Sequence, residues 1–387
     1  MKRGTAPRVL WVAVVLFFAR AAWTAPVTLL RTPDDGIQPQ AVADAQGNVH
    51  LIYFKGKPMG GDIFYVRMDA GQSAFSAAVR VNSEPGSAIA TGTIRGAQLA
   101  VGKNGRAHVA WMGGLGARKA SVNGKEVTPM LYARLNDAGN AFEPERNLIT
   151  WAAGLDGGGS VAADAQGNVY VAWHASPPGN ERGEAGRSVF VARSTDEGKT
   201  FEREKQANPT ATGACGCCGM RAFADAKGTL YLLYRSANAV SRDMTLLVSH
   251  NQGGSFESAT VNKWMIQGCP MSSASLAEGG SRVIAATELN GHIYFNTVES
   301  AGVRLSPPLA PPGEQKRKHP ALAANAKGET LLAWTEGTAW EKGGALAWQV
   351  FDGDGKPIAE KGRVDGVPVW SLATAFANRD GSFVIVY

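Results

Sequence analysis

One pattern of hydrophobic and polar positions recurs along the chain. A strand rich in small residues is followed by a turn that ends in glycine, and then by a strand in which apolar positions alternate. The clearest copies are AVADAQGNVHLIYF from Ala41, LAVGKNGRAHVAWM from Leu99, SVAADAQGNVYVAWH from Ser160 and RAFADAKGTLYLLYR from Arg221. Weaker copies begin at Ser275, Ala321 and Ala373. The turn glycines, spaced 48 to 62 residues apart, are Gly47, Gly105, Gly167, Gly228, Gly280, Gly328 and Gly381.

This spacing predicts an all-β fold, a β-propeller built from four-stranded blades. Further strands follow each repeat, for example DIFYVRMD from Asp62 and SVFVARSTD from Ser188. Seven blades are preferred, and six remain an alternative if one weak copy is an insertion. The last unit ends after two strands at Tyr387, so we expect Pro26–Leu30 to complete it as an outer strand. Both termini would then close the ring and remove a sheet edge.

An aromatic residue stands six positions after six of the seven turn glycines. An aromatic ladder can bind sugars, but equivalent strand positions in successive blades more often pack blade on blade. We therefore expect the ladder to be structural. His50 and His108 share another repeat position, where we expect partly exposed strand residues. The ladder consists of Tyr53, Trp111, Trp173, Tyr234, Trp334 and Tyr387.

The first 25 residues are typical of a secretory signal peptide. Lys2, Arg3 and Arg8 precede an apolar run from Val9 to Ala19, which is too short to span a bilayer as a helix. Residues 26–387 are then a single domain, exported to the periplasm or the medium. Without the signal the formal net charge falls from +6 to +2, which argues against a nucleic-acid partner. We expect a monomer with no transmembrane segment.

One turn carries a recognisable motif. Ser194-Thr195-Asp196-Glu197-Gly198-Lys199-Thr200-Phe201 follows the spacing S-x-D-x-G-x-T-[FW], with a softer copy at Ser249–Phe256 and a degenerate one at Asp137–Phe142. The chain therefore resembles the Asp-box, or bacterial-neuraminidase-repeat, proteins of the sialidase superfamily. Such a box stabilises a turn through Ser194, Asp196, Gly198, Thr200 and Phe201 and carries no catalysis.

The resemblance implies where a sialidase centre would lie. Sialidases hold the substrate carboxylate with three arginines and use an aspartate as acid/base, with a tyrosine activated by a glutamate as nucleophile. Ile37 stands where the first arginine belongs, while Asp62 matches the place of the acid/base. A tyrosine–glutamate pair is not evident in the sequence. The candidate ligand-binding residues near the starts of inner strands and on the same face are Arg95, Arg221, Arg317, Arg235 and Arg242.

Four cysteines form the most unusual local feature. Cys215, Cys217 and Cys218 precede one inner strand, and Cys269 precedes the next, so the two segments can meet on one face of the ring. Three interpretations stay open. The cysteines form a disulfide from Cys269 to one of the other three, which staples neighbouring blades; they form a redox pair; or they bind a soft metal, with copper the candidate cofactor and Met220 and Met271 as further ligands.

Two functions of different classes follow. The leading hypothesis is an exported scaffold that presents a basic, cysteine-bearing channel face to a ligand or partner, for which an anionic carbohydrate or a protein is the candidate. The alternative is an enzyme, a glycoside hydrolase of the exo-sialidase type with altered catalytic residues. The sequence leaves the choice between them open.

Overall fold

The computed structural model describes residue 1 and residues 25–180, 182–299 and 303–387. The predicted signal peptide thus falls almost entirely outside the described residues. Helical structure in these ranges is confined to short 3-10 turns, at Pro33–Asp35, Lys103–Gly105, Gly183–Gly186 and Thr210–Thr212. Within the same ranges no helix has the length and apolar character needed to cross a membrane.

The remaining regular structure consists of seven sheets that follow one another along the chain and one separate two-stranded hairpin. The first strand, β1 (Val27–Leu30), belongs to the last sheet, which makes the numbering cyclic. Blade 1 contains β2 (Ile37–Ala43), β3 (Val49–Lys57), β4 (Gly60–Met68) and β5 (Val79–Arg80). Blade 2 contains β6 (Gln98–Val101), β7 (Ala107–Met112), β10 (Met130–Arg134) and β11 (Arg146–Asn147). The separate hairpin of β8 (Ala120–Val122) and β9 (Lys125–Val127) lies between β7 and β10 in sequence.

The later blades repeat the same antiparallel order. Blade 3 contains β12 (Gly159–Ala163), β13 (Val169–Ala175), β14 (Ser188–Ser194) and β15 (Lys205–Gln206). Blade 4 contains β16 (Arg221–Ala224), β17 (Leu230–Arg235), β18 (Met244–Ser249) and β19 (Glu257–Asn262). Blade 5 contains β20 (Ser275–Gly279), β21 (Arg282–Leu289), β22 (His292–Glu299) and β23 (Arg304–Leu305).

Strands from both ends of the chain share the last sheet. Blade 6 contains β24 (Arg317–Ala324), β25 (Thr330–Glu336), β26 (Gly344–Phe351) and β27 (Pro357–Val367). Blade 7 is three-stranded, with β28 (Thr374–Ala377), β29 (Phe383–Val386) and β1. β1 runs parallel to β29, with Val27 opposite Phe383 and Leu30 opposite Val386. The prediction of seven blades is confirmed.

The core lies between the blades. The buried apolar side chains form seven large clusters, and each cluster combines side chains from two consecutive blades, including blade 7 with blade 1. In the last of these, Val384 and Val386 pack with Leu51 and Tyr53. A strand buried on both faces needs a neighbouring layer on each side, and a ring supplies both.

The aromatic ladder belongs to this core, as predicted. None of its six members is more than 7% exposed, so their rings fill the space between blades and are not a sugar-binding surface. The expectation for the two histidines was wrong. His50 and His108 are completely buried, and each accepts or donates a hydrogen bond at Nδ1 with a tyrosine hydroxyl, Tyr65 at 2.8 Å and Tyr132 at 2.7 Å. The hydrogen bond with the tyrosine hydroxyl offsets the free-energy cost of burying the polar imidazole.

The turns after the inner strands have one backbone conformation. All seven repeat glycines have φ between 64° and 97°, a region that a side chain with a Cβ adopts only with strain. In an antiparallel blade these turns and those between the third and fourth strands lie on one face of the ring, here called the turn face. The loops that lead into the inner strands lie on the opposite face, here called the entry face.

A channel runs along the axis of the ring. Its cavity of about 1330 Å³ is lined by the inner strands of all seven blades and reaches the turn face. Toward the entry face it narrows to a cavity of about 10 Å³ between Gln38, Ile94, Gln98 and Arg221. The channel is therefore wide at the turn face and almost closed beneath the entry face.

The turn at Ser194–Phe201 is held by its own side chains. Asp196 Oδ1 accepts hydrogen bonds from the Thr200 backbone N–H at 2.9 Å and from the Ser194 hydroxyl at 2.7 Å, and Oδ2 accepts one from the Thr200 hydroxyl at 2.7 Å. Ser194 Oγ in turn accepts from Gly198 N–H at 2.9 Å. Burial raises the pKa of Asp196, but these hydrogen bonds outweigh it and lower the pKa to about 2.

Replacement of this aspartate tests the structural role of the turn. We expect Asp196→Ala to reduce the free energy of unfolding by about 1–2 kcal/mol, because it removes three hydrogen bonds at once. Chemical denaturation at neutral pH measures the effect. The matched control is Thr195→Ala at the exposed neighbouring position, which should change stability little. Equal losses in both variants would contradict the assigned role.

Candidate functional site

The four cysteines lie on the entry face at the junction of three blades. Residues 213–220 lead from blade 3 into β16, and residues 266–274 lead from blade 4 into β20. Two backbone hydrogen bonds anchor the first segment: Cys215 N–H donates to Arg235 O at 2.9 Å, and Gly219 N–H donates to Ser272 O at 2.9 Å. The prediction that these two distant segments meet is confirmed.

The sulfur atoms form one compact group. Cys217 and Cys269 are joined by a disulfide, which confirms one of the three interpretations of the sequence. Cys215 and Cys218 are free thiols in the structure. Cys215 Sγ lies 3.3 Å from Cys217 Sγ and 3.4 Å from Cys218 Sγ, so it stands between the disulfide and the second thiol.

Exposure differs sharply within the group. Cys215 and Cys218 are 2% and 3% exposed, whereas Cys217 is half-buried and Cys269 is exposed. The sulfurs of Cys215, Cys217 and Cys269 all lie within 4.8 Å of one another. The cluster therefore extends from solvent at Cys269 to the interior at Cys218.

A buried arginine supports the inner end of the cluster. Arg235 is 2% exposed and donates to Ser272 Oγ at 2.9 Å, to Arg242 O at 2.7 Å and to Glu288 O at 2.9 Å. Its guanidinium lies 4.9 Å from the ring centre of Trp264, a cation–π contact. Ser272 Oγ also lies 3.8 Å from Cys218 Sγ, which connects the arginine to the thiol through one hydroxyl.

The two thiols differ in acidity. Burial raises the pKa of Cys218, but the hydrogen bond from Cys215 and the positive charge of Arg235 outweigh it and lower the pKa to about 6. The same hydrogen bond and burial raise the pKa of Cys215. Of the two thiols, Cys218 is therefore the more acidic, because it accepts the hydrogen bond and faces the arginine.

A buried carboxyl group lies close to this pair. Glu288, at 2% exposure, has its pKa raised to about 7 by burial, against the opposing charges of Lys318 and Arg235. Its Oε2 is buried without a hydrogen-bond partner among the described residues. Lys318 Nζ donates to Pro270 O at 3.0 Å, which fixes the lysine beside the Cys269 loop.

Charged side chains lie beside the Cys215–Cys217 segment. Glu184 accepts a hydrogen bond from Gly216 N–H at 2.8 Å, so a carboxylate supports the backbone between two cysteines. The network contains three arginines and two carboxylates and is therefore net positive. Its ion pairs are Arg95–Asp156 at 2.9 Å, Arg187–Asp156 at 3.9 Å, Arg187–Glu184 at 3.6 Å and Arg242–Glu184 at 3.1 Å.

The five candidate arginines do not converge on one point. Arg317 is buried, donates to the carbonyls of Pro311 and Pro312 and stacks on Trp334 at 4.8 Å. Arg221 faces the axial channel and donates to Gln98 Oε1, with its pKa lowered to about 10 by burial. Arg95 and Arg242 belong to the ion-pair network, and Arg235 supports the cysteines.

The candidate acid/base lies elsewhere on the entry face. Asp62 Oδ1 accepts hydrogen bonds from Asn82 Nδ2 at 2.7 Å and from Gly86 N–H at 2.8 Å, which tie the start of β4 to the following loop. A second carboxylate, Glu336 at the end of β25, forms an ion pair with Arg363 at 3.2 Å and accepts a hydrogen bond from Trp334 Nε1. Asp62 and Glu336 are thus each held in place by hydrogen bonds or an ion pair with neighbouring residues.

The sequence named most of these residues but did not show how they combine. Cys215 and Cys218 have the C-x-x-C spacing that brings two sulfurs together. This spacing is present in the sequence, but the additional Cys217 between them makes it harder to recognise. Arg235 was expected to bind a ligand; its contact with the cysteine cluster, and that of Glu288, gave no local signal because it depends on how adjacent blades meet. Met220, a candidate copper ligand, lies in the apolar core between blades 3 and 4. Met271 is half-buried beside Ser272.

Comparison with known proteins shows similarity of fold only. No family model matches the sequence, and no curated protein matches it significantly. A protein of unknown function from Dyadobacter fermentans is 14% identical, with a TM-score of 0.53 over 81% of this chain and 93% of that chain. A fungal alcohol oxidase of the AA5 family, in complex with copper, is 12% identical, with a TM-score of 0.50 over 90% and 69%.

Sialidases are also among the similar structures. The NanB sialidase of Streptococcus pneumoniae is 12% identical, with a TM-score of 0.44 over 92% of this chain and 66% of that chain. At these identities the likeness concerns architecture alone.

The acidity of the thiol pair is open to direct measurement. We expect thiolate ultraviolet absorbance equivalent to one cysteine, which is lost as the pH falls through about 6, because the charged form of Cys218 is stabilised in the folded protein. Cys218→Ala should remove this transition, and Cys215→Ala should move it to higher pH because the hydrogen-bond donor is gone. A wild-type protein with no thiolate below pH 8 would contradict the assignment.

Proposed function

We propose that this chain is an exported β-propeller that acts as a binding scaffold and that its entry face binds a soft metal ion, Cu(I), through Cys215 and Cys218. The observation that carries the proposal is the convergence of four cysteine sulfurs from the loops of neighbouring blades. The two free sulfurs, Cys215 Sγ and Cys218 Sγ, lie 3.4 Å apart, so a small outward movement of either would let both bind one ion. The propeller supplies a rigid ring that holds the two loops together.

The donor set supports a soft metal. Sulfur ligands select Cu(I), zinc and iron–sulfur clusters over hard cations. Two carboxylates near the cysteines are already engaged: Asp156 pairs with Arg95, and Glu184 pairs with Arg242 and accepts from the Gly216 backbone. His174 Nε2 lies 3.0 Å from Gly216 O and 3.1 Å from Gly157 N, so this imidazole is held by the backbone around the cluster.

The number of free thiols supports copper over zinc. With the Cys217–Cys269 disulfide intact, two thiols remain, and Cu(I) is stable with two sulfur ligands. Structural zinc sites take four ligands in a tetrahedral arrangement. The neighbouring fungal alcohol oxidase is in complex with copper, but its likeness concerns the fold, so the copper assignment rests on the cysteines.

Charge at the site also suits a metal held by thiolates. Two thiolates and one Cu(I) ion carry a net charge of −1, which would be costly in a dry interior without compensation. The buried guanidinium of Arg235 lies one hydroxyl away from Cys218, and the outer network is net positive. These positive groups stabilise the loaded site.

Export fits the same chemistry. The signal-like N-terminus and the disulfide both agree with an oxidising compartment, where disulfides persist. The turns at Ser194–Phe201 and Ser249–Phe256 fit the Asp-box role of stabilising the face opposite the site. An anionic carbohydrate or a protein remains a candidate partner for the positive rim around the cysteines.

Anaerobic titration of Cu(I) against a chromophoric chelator tests the proposal. We expect one ion per chain, with loss of stoichiometric binding in Cys215→Ser and Cys218→Ser. The matched control is the double variant Cys217→Ser/Cys269→Ser, which removes the disulfide but keeps both thiols and should retain one ion. Circular dichroism verifies that each variant is folded. Absence of binding by the wild type, or equal binding by Cys215→Ser, would overturn the copper site. Tighter retention of Zn²⁺ than of Cu(I) would replace copper by zinc.

The alternative function, a glycoside hydrolase of the exo-sialidase type, needs a separate assay. We expect no turnover of a fluorogenic sialoside, because the arginines do not form a carboxylate clamp and Asp62 is held by Asn82 and Gly86. Asp62→Ala serves as the control for any activity found. Turnover in the wild type that disappears in this variant would contradict the scaffold proposal and favour the hydrolase.

A further inference from the structure

We propose that the four cysteines also form a thiol–disulfide relay, in which the disulfide moves between the exposed pair Cys217/Cys269 and the buried pair Cys215/Cys218. The relay is a property of the metal-free protein and does not depend on copper binding. It follows from the order of the sulfurs in space: an exposed sulfur at Cys269, the half-buried Cys217, and then Cys215 and Cys218 in the interior.

The first step is attack of Cys215 on the disulfide. Its Sγ lies 3.3 Å from Cys217 Sγ, so the nucleophile is already in contact with the sulfur that it attacks. The Cys215–Cys217 bond forms, the Cys217–Cys269 bond breaks, and Cys269 leaves as a thiolate. Cys215 donates its hydrogen bond to Cys218 Sγ at 3.4 Å, which gives the displaced proton an acceptor.

The second step transfers the new disulfide inward. Cys218 Sγ attacks Cys215 Sγ, the Cys215–Cys218 bond forms, and Cys217 leaves as a thiolate. Whatever protons the buried pair held pass to Cys217 and Cys269, so proton number and charge are unchanged. The net reaction is an isomerisation: one disulfide and two reduced cysteines are present before and after, so no outside oxidant or reductant is consumed.

The exchange changes what the entry face presents to solvent. In the structure the exposed pair is oxidised and the buried pair is reduced. After the exchange the exposed pair is a free dithiol, and Cys269 can react with a disulfide of a partner molecule. The substrate class of the relay is therefore a disulfide or dithiol that reaches Cys269 from outside, and the buried pair stores the oxidising equivalents.

The pairings can be separated by peptide mapping. Cleavage after Lys205 and Arg221 gives one peptide with Cys215, Cys217 and Cys218, and cleavage after Lys263 and Arg282 gives another with Cys269. A Cys217–Cys269 disulfide links the two peptides, whereas a bond within the first peptide leaves them separate. Metal-free native protein is incubated with a chelator and excess N-ethylmaleimide, which alkylates Cys269 whenever it is released, and is then digested without reduction.

We expect the linked peptides to disappear with time in the wild type and in Cys218→Ser, with N-ethylmaleimide on Cys269. Cys218→Ser should also accumulate the Cys215–Cys217 bond, because the second step is blocked. Cys215→Ser lacks the attacking sulfur, so release of Cys269 should slow by about tenfold or more. Equal rates in the wild type and Cys215→Ser, or linked peptides that persist in Cys218→Ser, would overturn the relay. Neither outcome bears on copper, which is measured separately.

Discussion

The whole structure depends on the burial of both faces of every blade. Each sheet carries apolar side chains on two sides, and each of the seven large clusters joins consecutive blades, so a blade at an open end would expose half of its core to water. Exposure of apolar surface to water costs about 25 cal/mol of folding free energy for each Å². The arrangement that leaves no open end is a ring, and the cluster of Val384, Val386, Leu51 and Tyr53 completes it.

The same constraint creates the site. Because blades pack through their faces, the loops that lead into neighbouring inner strands lie side by side, and residues about fifty positions apart in sequence come into contact. Cys217 and Cys269 are joined across such a boundary. Arg235 at the end of β17 reaches Ser272 and the Glu288 carbonyl in the next blade. The cysteine cluster is therefore a feature of the boundary between blades and of neither blade alone.

The sequence predicted the parts of the molecule that repeat. Turn glycines, the aromatic ladder and the number of blades follow from a periodic pattern, because each copy has the same local backbone and the same neighbours. The predictions for single residues were less successful. His50 and His108 were expected to be partly exposed, and their burial depends on a tyrosine from the third strand of the same blade, Tyr65 or Tyr132, which strand periodicity alone does not pair with them.

The arginines show why position in the repeat does not determine role. Arg221 and Arg317 both begin inner strands, yet Arg221 faces the channel while Arg317 is turned onto Trp334 and the Pro311 carbonyl. A guanidinium takes whichever acceptors its loop provides, and the entry loops differ in length and sequence from blade to blade. Thiols are less adaptable, because a thiol is only a weak hydrogen-bond partner and its strong bonds to other groups of a folded chain are mostly to a second sulfur or through a metal. The convergence of four sulfurs is thus a more specific sign of chemistry than a similar number of arginines on the same face.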